Sequence, residues 1–208
     1  MRSKAIAFEA GNNLLAGDLY LGDRAGPLGA VVLHPHPLYG GDRRNIVTVA
    51  LARALADAGV AAFCFDFRGA GGSQGVHGGG KAEVDDVEAA IVELKKTVPD
   101  IESVALVGYS FGAYVASLAA GRLSPAAIVC VAPPQAMFPC DALAGYGGPL
   151  LLIAGDNDQF APAESVMELG AATGARCEFI HGGDHFLAGR ESVAARLAVE
   201  FLLRETRR

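Results

Sequence analysis

From residue 29 onward, short apolar runs alternate with stretches in which apolar side chains recur every three or four positions. The runs fall at residues 30–33, 60–65, 104–107, 127–131, 150–153 and 176–180. Most are brief, unbroken and rich in β-branched residues, the pattern of strands buried on both faces. Between them, Ile46, Val49, Ala50, Ala54 and Ala58 mark one helix, stopped by Gly59. Val84, Val87, Ala90, Ile91 and Leu94 mark a second, which ends before Pro99. A third runs from Ser110 to Gly121, a fourth occupies residues 162–170 with Pro162 at its start, and a fifth covers residues 193–203. Such alternation predicts parallel strands joined by crossover helices on both faces of a sheet. Ahead of it, residues 4–9 and 13–21 read as an antiparallel hairpin turning at Gly11-Asn12-Asn13. The expectation is an α/β fold with a mostly parallel eight-stranded sheet and an antiparallel N-terminal edge.

Composition narrows the picture. The 208 residues suffice for one well-buried core, and no linker or shift in composition divides them, so a single domain over residues 1–208 is expected. Half the residues are hydrophobic and 27 are glycine, as suits a compact chain with many tight turns. A net charge of −6 supplies no basic stripe for nucleic acid. No run approaches 18 apolar residues, so no membrane association is expected, and the first dozen residues lack the apolar stretch of a secretory signal. Cys64, Cys130, Cys140 and Cys177 are scattered without C-x-x-C spacing, which reads as reduced thiols in a cytoplasmic protein. Arg204, Arg207 and Arg208 are placed to complement the C-terminal dipole of the last helix. No heptad or interface pattern fixes an oligomeric state.

Candidate chemistry centres on residues 104–116, where a strand-like run meets Gly108-Tyr109-Ser110-Phe111-Gly112 and then becomes helical. This is G-x-S-x-G in its strand-turn-helix context: the serine sits on a strained turn, and only glycine fits close to the adjoining strand and helix. The helix begins at the serine, so its free N–H groups face any oxyanion formed there, the Phe111 amide first. A second glycine-rich tract, residues 69–80, nearly spells a phosphate loop at Gly75 to Ala82, but Ala82 replaces the hydroxyl residue that would bind magnesium and no strand leads into it. A surface loop is the preferred reading, and no nucleotide or other cofactor is expected.

A serine hydroxyl needs a base within hydrogen-bond reach and a third group to orient that base. Asp156 and Asp158 follow the strand at 150–153, and His181 and His185 follow the one at 176–180. Chain order Ser, Asp, His, each beyond the C-terminal end of its own strand, matches one hydrolase scaffold. His181 lies almost on its strand, whereas His185 is far enough along the loop to swing toward Ser110.

With the motifs His34-Pro35-His36-Pro37-Leu38-Tyr39-Gly40-Gly41, Asp66 to Ser73, the 108–112 elbow, Gly155 to Pro162 and Gly183-Asp184-His185-Phe186, the chain resembles α/β-hydrolases over nearly its whole length. More narrowly, it resembles small bacterial esterase-like members with His-Pro-His-Pro after the first parallel strand and little or no lid. That resemblance implies Asp158 as the acid, the fourth residue of G-x-x-D-x-x-x-P, with Asp156 as a turn residue beside it. It also implies a second oxyanion donor on the 34–41 loop. Pro35 and Pro37 have no N–H, which leaves His36 or Leu38, and the family's turn favours His36. His34 and His36, flanked by prolines, are read as stiffening the loop rather than binding metal, and Asp66 and Arg68 as holding the turn after their strand.

The activity implied is acyl transfer to water from small esters by Ser110, His185 and Asp158, without metal. Thioesterase, amidase or peptidase action with the same residues, or a non-catalytic binding role, stays open. Only residues 132–148 separate two strands where related enzymes insert a lid, so an open cleft is expected. Leu38, Tyr39, Tyr109, Phe160 and Phe186, with Phe111, Met137, Phe138 and Leu187, are its candidate walls.

Overall fold

The computed structural model describes residues 1–206. A hairpin opens the chain: β1 (Arg2–Ala10) and β2 (Asn13–Leu21) pair antiparallel in register from Arg2↔Leu21 to Ala10↔Asn13, leaving Gly11-Asn12 as the turn. Gly11 takes a left-handed φ of 58°, which costs a residue without a Cβ little. The remaining strands are β3 (Leu28–Leu33), β4 (Ala61–Phe65), β5 (Ser103–Tyr109), β6 (Ile128–Val131), β7 (Leu150–Gly155) and β8 (Arg176–Ile180). Together they form one eight-stranded sheet in the order β1-β2-β4-β3-β5-β6-β7-β8. β2 pairs antiparallel with β4, and β3 through β8 are all parallel. The expected mixed sheet is therefore the observed one.

Among the described residues five α-helices cover it: α1 (Ile46–Asp57), α2 (Glu83–Thr97), α3 (Phe111–Leu123), α4 (Ala163–Thr173) and α5 (Glu191–Glu205). Alternate strand residues face opposite layers, and the core divides accordingly. Val31, Leu33, Leu106 and Leu152 pack with α2, α3 and α4, whereas Ala30, Val32, Val107 and Ile153 pack with α1 and α5. On α1, Val47, Leu51 and Leu55 are fully buried; each such side chain contributes about 1.5–3 kcal/mol by leaving water.

Several helices outrun their apolar pattern. α3 continues past Gly121, which is exposed at a position where a Cβ would meet nothing, and stops at Ser124, in left-handed conformation before Pro125. α2 extends to Thr97 because Lys95 and Lys96 are good helix formers that also complement its C-terminal dipole. Arg204 stands in the last turn of α5 and pairs with Glu205 at 3.0 Å; Arg207 and Arg208 lie outside the described residues. Between β6 and β7 there is one short 3-10 turn, Asp141–Gly145, and among the described residues no cap domain covers the C-terminal edge of the sheet. No helix among the described residues is long and apolar enough to cross a membrane. All four cysteines are free thiols; burial pushes Cys140 up to about 12 and Cys64, Cys130 and Cys177 upward as well.

Candidate active site

Ser110 stands between the end of β5 and the first residue of α3 with φ 52° and ψ −117°, outside the regions L-residues favour. A conformation of that kind costs about 1–3 kcal/mol and persists only when its surroundings over-determine it. Here two glycines allow the packing that does so. A Cβ on Gly108 would come within 2.3 Å of the Gly112 carbonyl oxygen, and one on Gly112 within 2.2 Å of that of Leu33. The Ser110 amide donates to the Val131 carbonyl at 2.9 Å, tying the turn to β6.

Three side chains from separate strand ends then meet in series. Ser110 Oγ lies 2.9 Å from His185 Nε2, and His185 Nδ1 lies 3.0 and 2.9 Å from the two carboxylate oxygens of Asp158. All three are buried, yet Ser110 and His185 each keep 9% exposure toward the cleft. Asp158 Oδ1 also accepts the Phe160 and Ala161 amides, both at 2.8 Å, so the carboxylate cannot turn away from the imidazole. The loop carrying His185 is anchored by the Tyr109 hydroxyl, which donates to the His185 carbonyl at 3.0 Å, and by Leu187, fully buried with φ 51°. Burial, with Asp158 nearby, pushes the Tyr109 phenol pKa up and keeps it a donor. The alternatives at each position find one another instead. His181 Nδ1 lies 2.9 Å from Asp156 Oδ2 on the exposed surface, and this pairing holds the Asp156 carboxyl below its ordinary range.

On the 34–41 loop the two histidines have different work. His34 is fully buried; Nδ1 meets the Pro35 carbonyl at 2.6 Å and Nε2 accepts the Phe67 amide at 3.0 Å, which joins the ends of β3 and β4. Burial lowers its pKa to about 4, so it stays neutral. His36 Nδ1 accepts the Leu38 amide at 3.2 Å, whereas no intramolecular acceptor meets the His36 amide among the described residues. The Phe111 amide, at the first position of α3, likewise has no acceptor within its helix. Of the two donors open on this loop, His36 is therefore the free one. Burial, then the neighbouring His77, lowers the His36 pKa, in keeping with Nδ1 as acceptor.

A cleft of about 510 Å³ opens over Ser110. Tyr39, Tyr109, Phe160 and Phe186 line it together with Phe111, Met137 and Phe138. Leu38 does not: it is 71% exposed and lies outside the lining, as its amide is turned back onto His36. Leu187 is buried beneath the loop. No Lys, Arg, Asp or Glu lines the cleft among the described residues.

Two networks were invisible at the level of motifs. Asp66 and Arg68 do hold the turn after β4, but through other elements: Asp66 accepts the Arg43 and Gly72 amides at 2.8 Å each and pairs with the Arg43 guanidinium, while Arg68 pairs with Asp86 of α2 at 2.7 Å. The glycine-rich tract wraps around an internal acid. Fully buried Glu83 accepts the Gly78 and Gly80 amides at 2.6 and 2.7 Å and lies 3.0 Å from His77 Nδ1. The amides a phosphate would need are thus occupied by this chain's own carboxylate, and His77 is set 4.9 Å from the His36 ring and 5.3 Å from that of Phe111. Among the described residues no group of three or more His, Cys, Asp or Glu side chains is arranged to hold a metal ion.

Comparison with known proteins agrees with this fold. Residues 45–140 match the family described as serine aminopeptidase, S33. An uncharacterized protein of Rickettsia prowazekii is 31% identical over 185 residues, 84% of this chain and 78% of that protein. An α/β serine hydrolase homologue from Coxiella burnetii superimposes with a TM-score of 0.87 at 30% identity, covering 96% of this chain and 97% of the other. A lidless α/β serine hydrolase from Xanthomonas campestris gives 0.88 at 26% identity, with 98% and 95% covered.

Proposed function

The chain belongs to the α/β serine hydrolases, and we propose that it hydrolyses uncharged carboxylic esters through an acyl-enzyme formed on Ser110. The observation that carries this reading is the hydrogen-bonded series Ser110, His185, Asp158 on a strained elbow beneath an open cleft. His185 Nε2 takes the Ser110 proton as Oγ attacks the ester carbonyl. Asp158 holds Nδ1–H, fixing the tautomer and balancing the imidazolium that forms. The negative oxygen of the tetrahedral intermediate is received by the Phe111 and His36 amides. As the carbonyl reforms, the bond to the leaving oxygen breaks and that oxygen takes the proton from Nε2. Water then enters, loses its proton to the same nitrogen, and frees the acid, returning Ser110 to its hydroxyl form. This cycle requires no cofactor or metal.

The lining of the cleft favours esters over the alternatives. An aminopeptidase must bind a free α-ammonium and a coenzyme-linked thioesterase must bind phosphates, and an unpaired charge is costly to desolvate. The cleft offers neither a carboxylate nor a cation for such groups. The four free thiols support a reducing, cytoplasmic location. Purified protein and Ser110→Ala should be compared on matched para-nitrophenyl butyrate, butyryl thioester and alanine para-nitroanilide. Ester turnover that is lost in the variant supports the proposal. Thioester or amide turnover exceeding that of the ester overturns it.

A further inference from the structure

The cleft has two unlike halves, and the chemistry decides which part of an ester each can take. Phe160 and Phe186 flank His185, with ring centroids 4.9 and 5.9 Å from the imidazole, and Phe186 is 63% exposed. On the other side lies a wall of rings packed on one another. His36 stands 4.8 Å from Tyr39, 4.7 Å from Phe111 and 5.5 Å from Phe138; Phe111 and Phe138 are 5.8 Å apart at 79°. Phe138 and Met137 come from the short segment after β6, where related folds would place a lid.

Because His185 Nε2 must hand its proton to the leaving oxygen, the alcohol part of the ester lies over Phe160 and Phe186. The oxyanion is directed to the Phe111 and His36 amides. The fourth substituent of the tetrahedral carbon, the acyl chain, is left the half of the cleft away from His185, bounded by Tyr39, His36, Met137 and Phe138. Resting on the reading of Ser110 as nucleophile, we propose that this ring-walled half is an acyl subsite for an uncharged aryl-bearing acid. Rings packed on one another, three pairs tilted and Phe111 against Phe138 edge to face, present flat surfaces that suit another ring. A flexible alkyl chain gains less there and loses rotamer freedom on binding. An acid bearing a second carboxylate is rejected, since no cation lines the cleft to pair with it.

The test uses para-nitrophenyl esters whose carbonyls are attached to an unbranched saturated carbon and have similar intrinsic reactivity: acetyl, heptanoyl, 3-phenylpropanoyl and 3-(4-carboxyphenyl)propanoyl. The 3-phenylpropanoyl ester should exceed the heptanoyl ester about tenfold in kcat/KM, because each ring-to-ring contact is worth a factor of about 2 to 12 beyond the area it buries. The carboxyphenyl ester should fall at least about 100-fold below the phenylpropanoyl ester. Phe138→Leu should shrink the phenylpropanoyl-to-heptanoyl ratio, while Phe186→Leu should change the preference among leaving alcohols and keep that acyl ratio. Equal or better use of heptanoyl by the wild-type protein overturns the subsite, a conclusion that does not depend on the variants folding. So does a shift of the acyl ratio by Phe186→Leu as large as that by Phe138→Leu. Acetyl ester turnover without aryl preference overturns the subsite alone; no turnover of any ester overturns the ester-hydrolase reading as well.

Discussion

In the proposed mechanism His185 deprotonates Ser110 with its proton on Nδ1, the tautomer favoured by Asp158, whose carboxylate is held in place by two backbone amides. Asp158→Asn should therefore preserve the fold yet lower kcat by about 10⁴, the loss seen when an amide favours the wrong tautomer. Asp156→Asn, removing only an exposed partner of His181, should change kcat less than about tenfold; steady-state rates on one ester decide both. His34 makes a second residue-scale prediction. Its folded pKa of about 4 lies below the ordinary 6.5, so the unfolded chain binds a proton that the fold refuses. Stability is fully present above pH 6.5 and is lost as pH falls toward 4, by about 2 kcal/mol between pH 7 and pH 5 from this residue. Urea unfolding at the two pH values should show that loss, and His34→Gln should show a shallower dependence. Chain order pointed to a serine, an acid and a histidine because each stands beyond a strand end, and the resemblance to α/β-hydrolases chose Asp158 over Asp156. The pairing of Asp156 with His181 was not legible in the sequence, since it joins two loops 25 residues apart.

At the scale of elements, the elbow depends on β5 and α3 packing closer than a methyl group allows. Gly112→Ala would drive its Cβ into the Leu33 backbone, and backbone has no rotamer to give; a loss of about 1–3 kcal/mol in chemical denaturation is expected, together with lost turnover as Ser110 is displaced. The glycine-rich tract depends on Glu83 in a comparable way. Glu83→Ala leaves the Gly78 and Gly80 amides without acceptors, which should destabilise the protein by about 2–4 kcal/mol and speed hydrogen exchange across residues 77–81. The sequence announced that tract as a loop but not its purpose. Its glycines follow no period, and the acid they enclose lies at the start of the next helix. The end of α3 was read short for a related reason: apolar spacing reports the buried face, while Leu123 ends a helix whose last turn is held by propensity and by Arg122 at the negative end of its dipole.

For the molecule as a whole, strand-helix alternation was enough to give a parallel sheet with helices on both faces, because each buried strand reads as an uninterrupted apolar run. That β2 would dock against β4, closing the hairpin onto the parallel sheet, was carried by no local signal; only tertiary packing selects it. The same architecture brings three strand ends and two loops together at one edge, and the brevity of residues 132–149 leaves that edge open to substrate. The central claim is that this assembly activates Ser110, and a fluorophosphonate tests it directly, since only an activated serine displaces the fluoride and keeps the phosphonyl group. Peptide mass spectrometry of the treated protein should find the adduct on Ser110, and none on that peptide in His185→Ala. Folded protein that remains unlabelled, or that carries the adduct at another residue, would contradict the account.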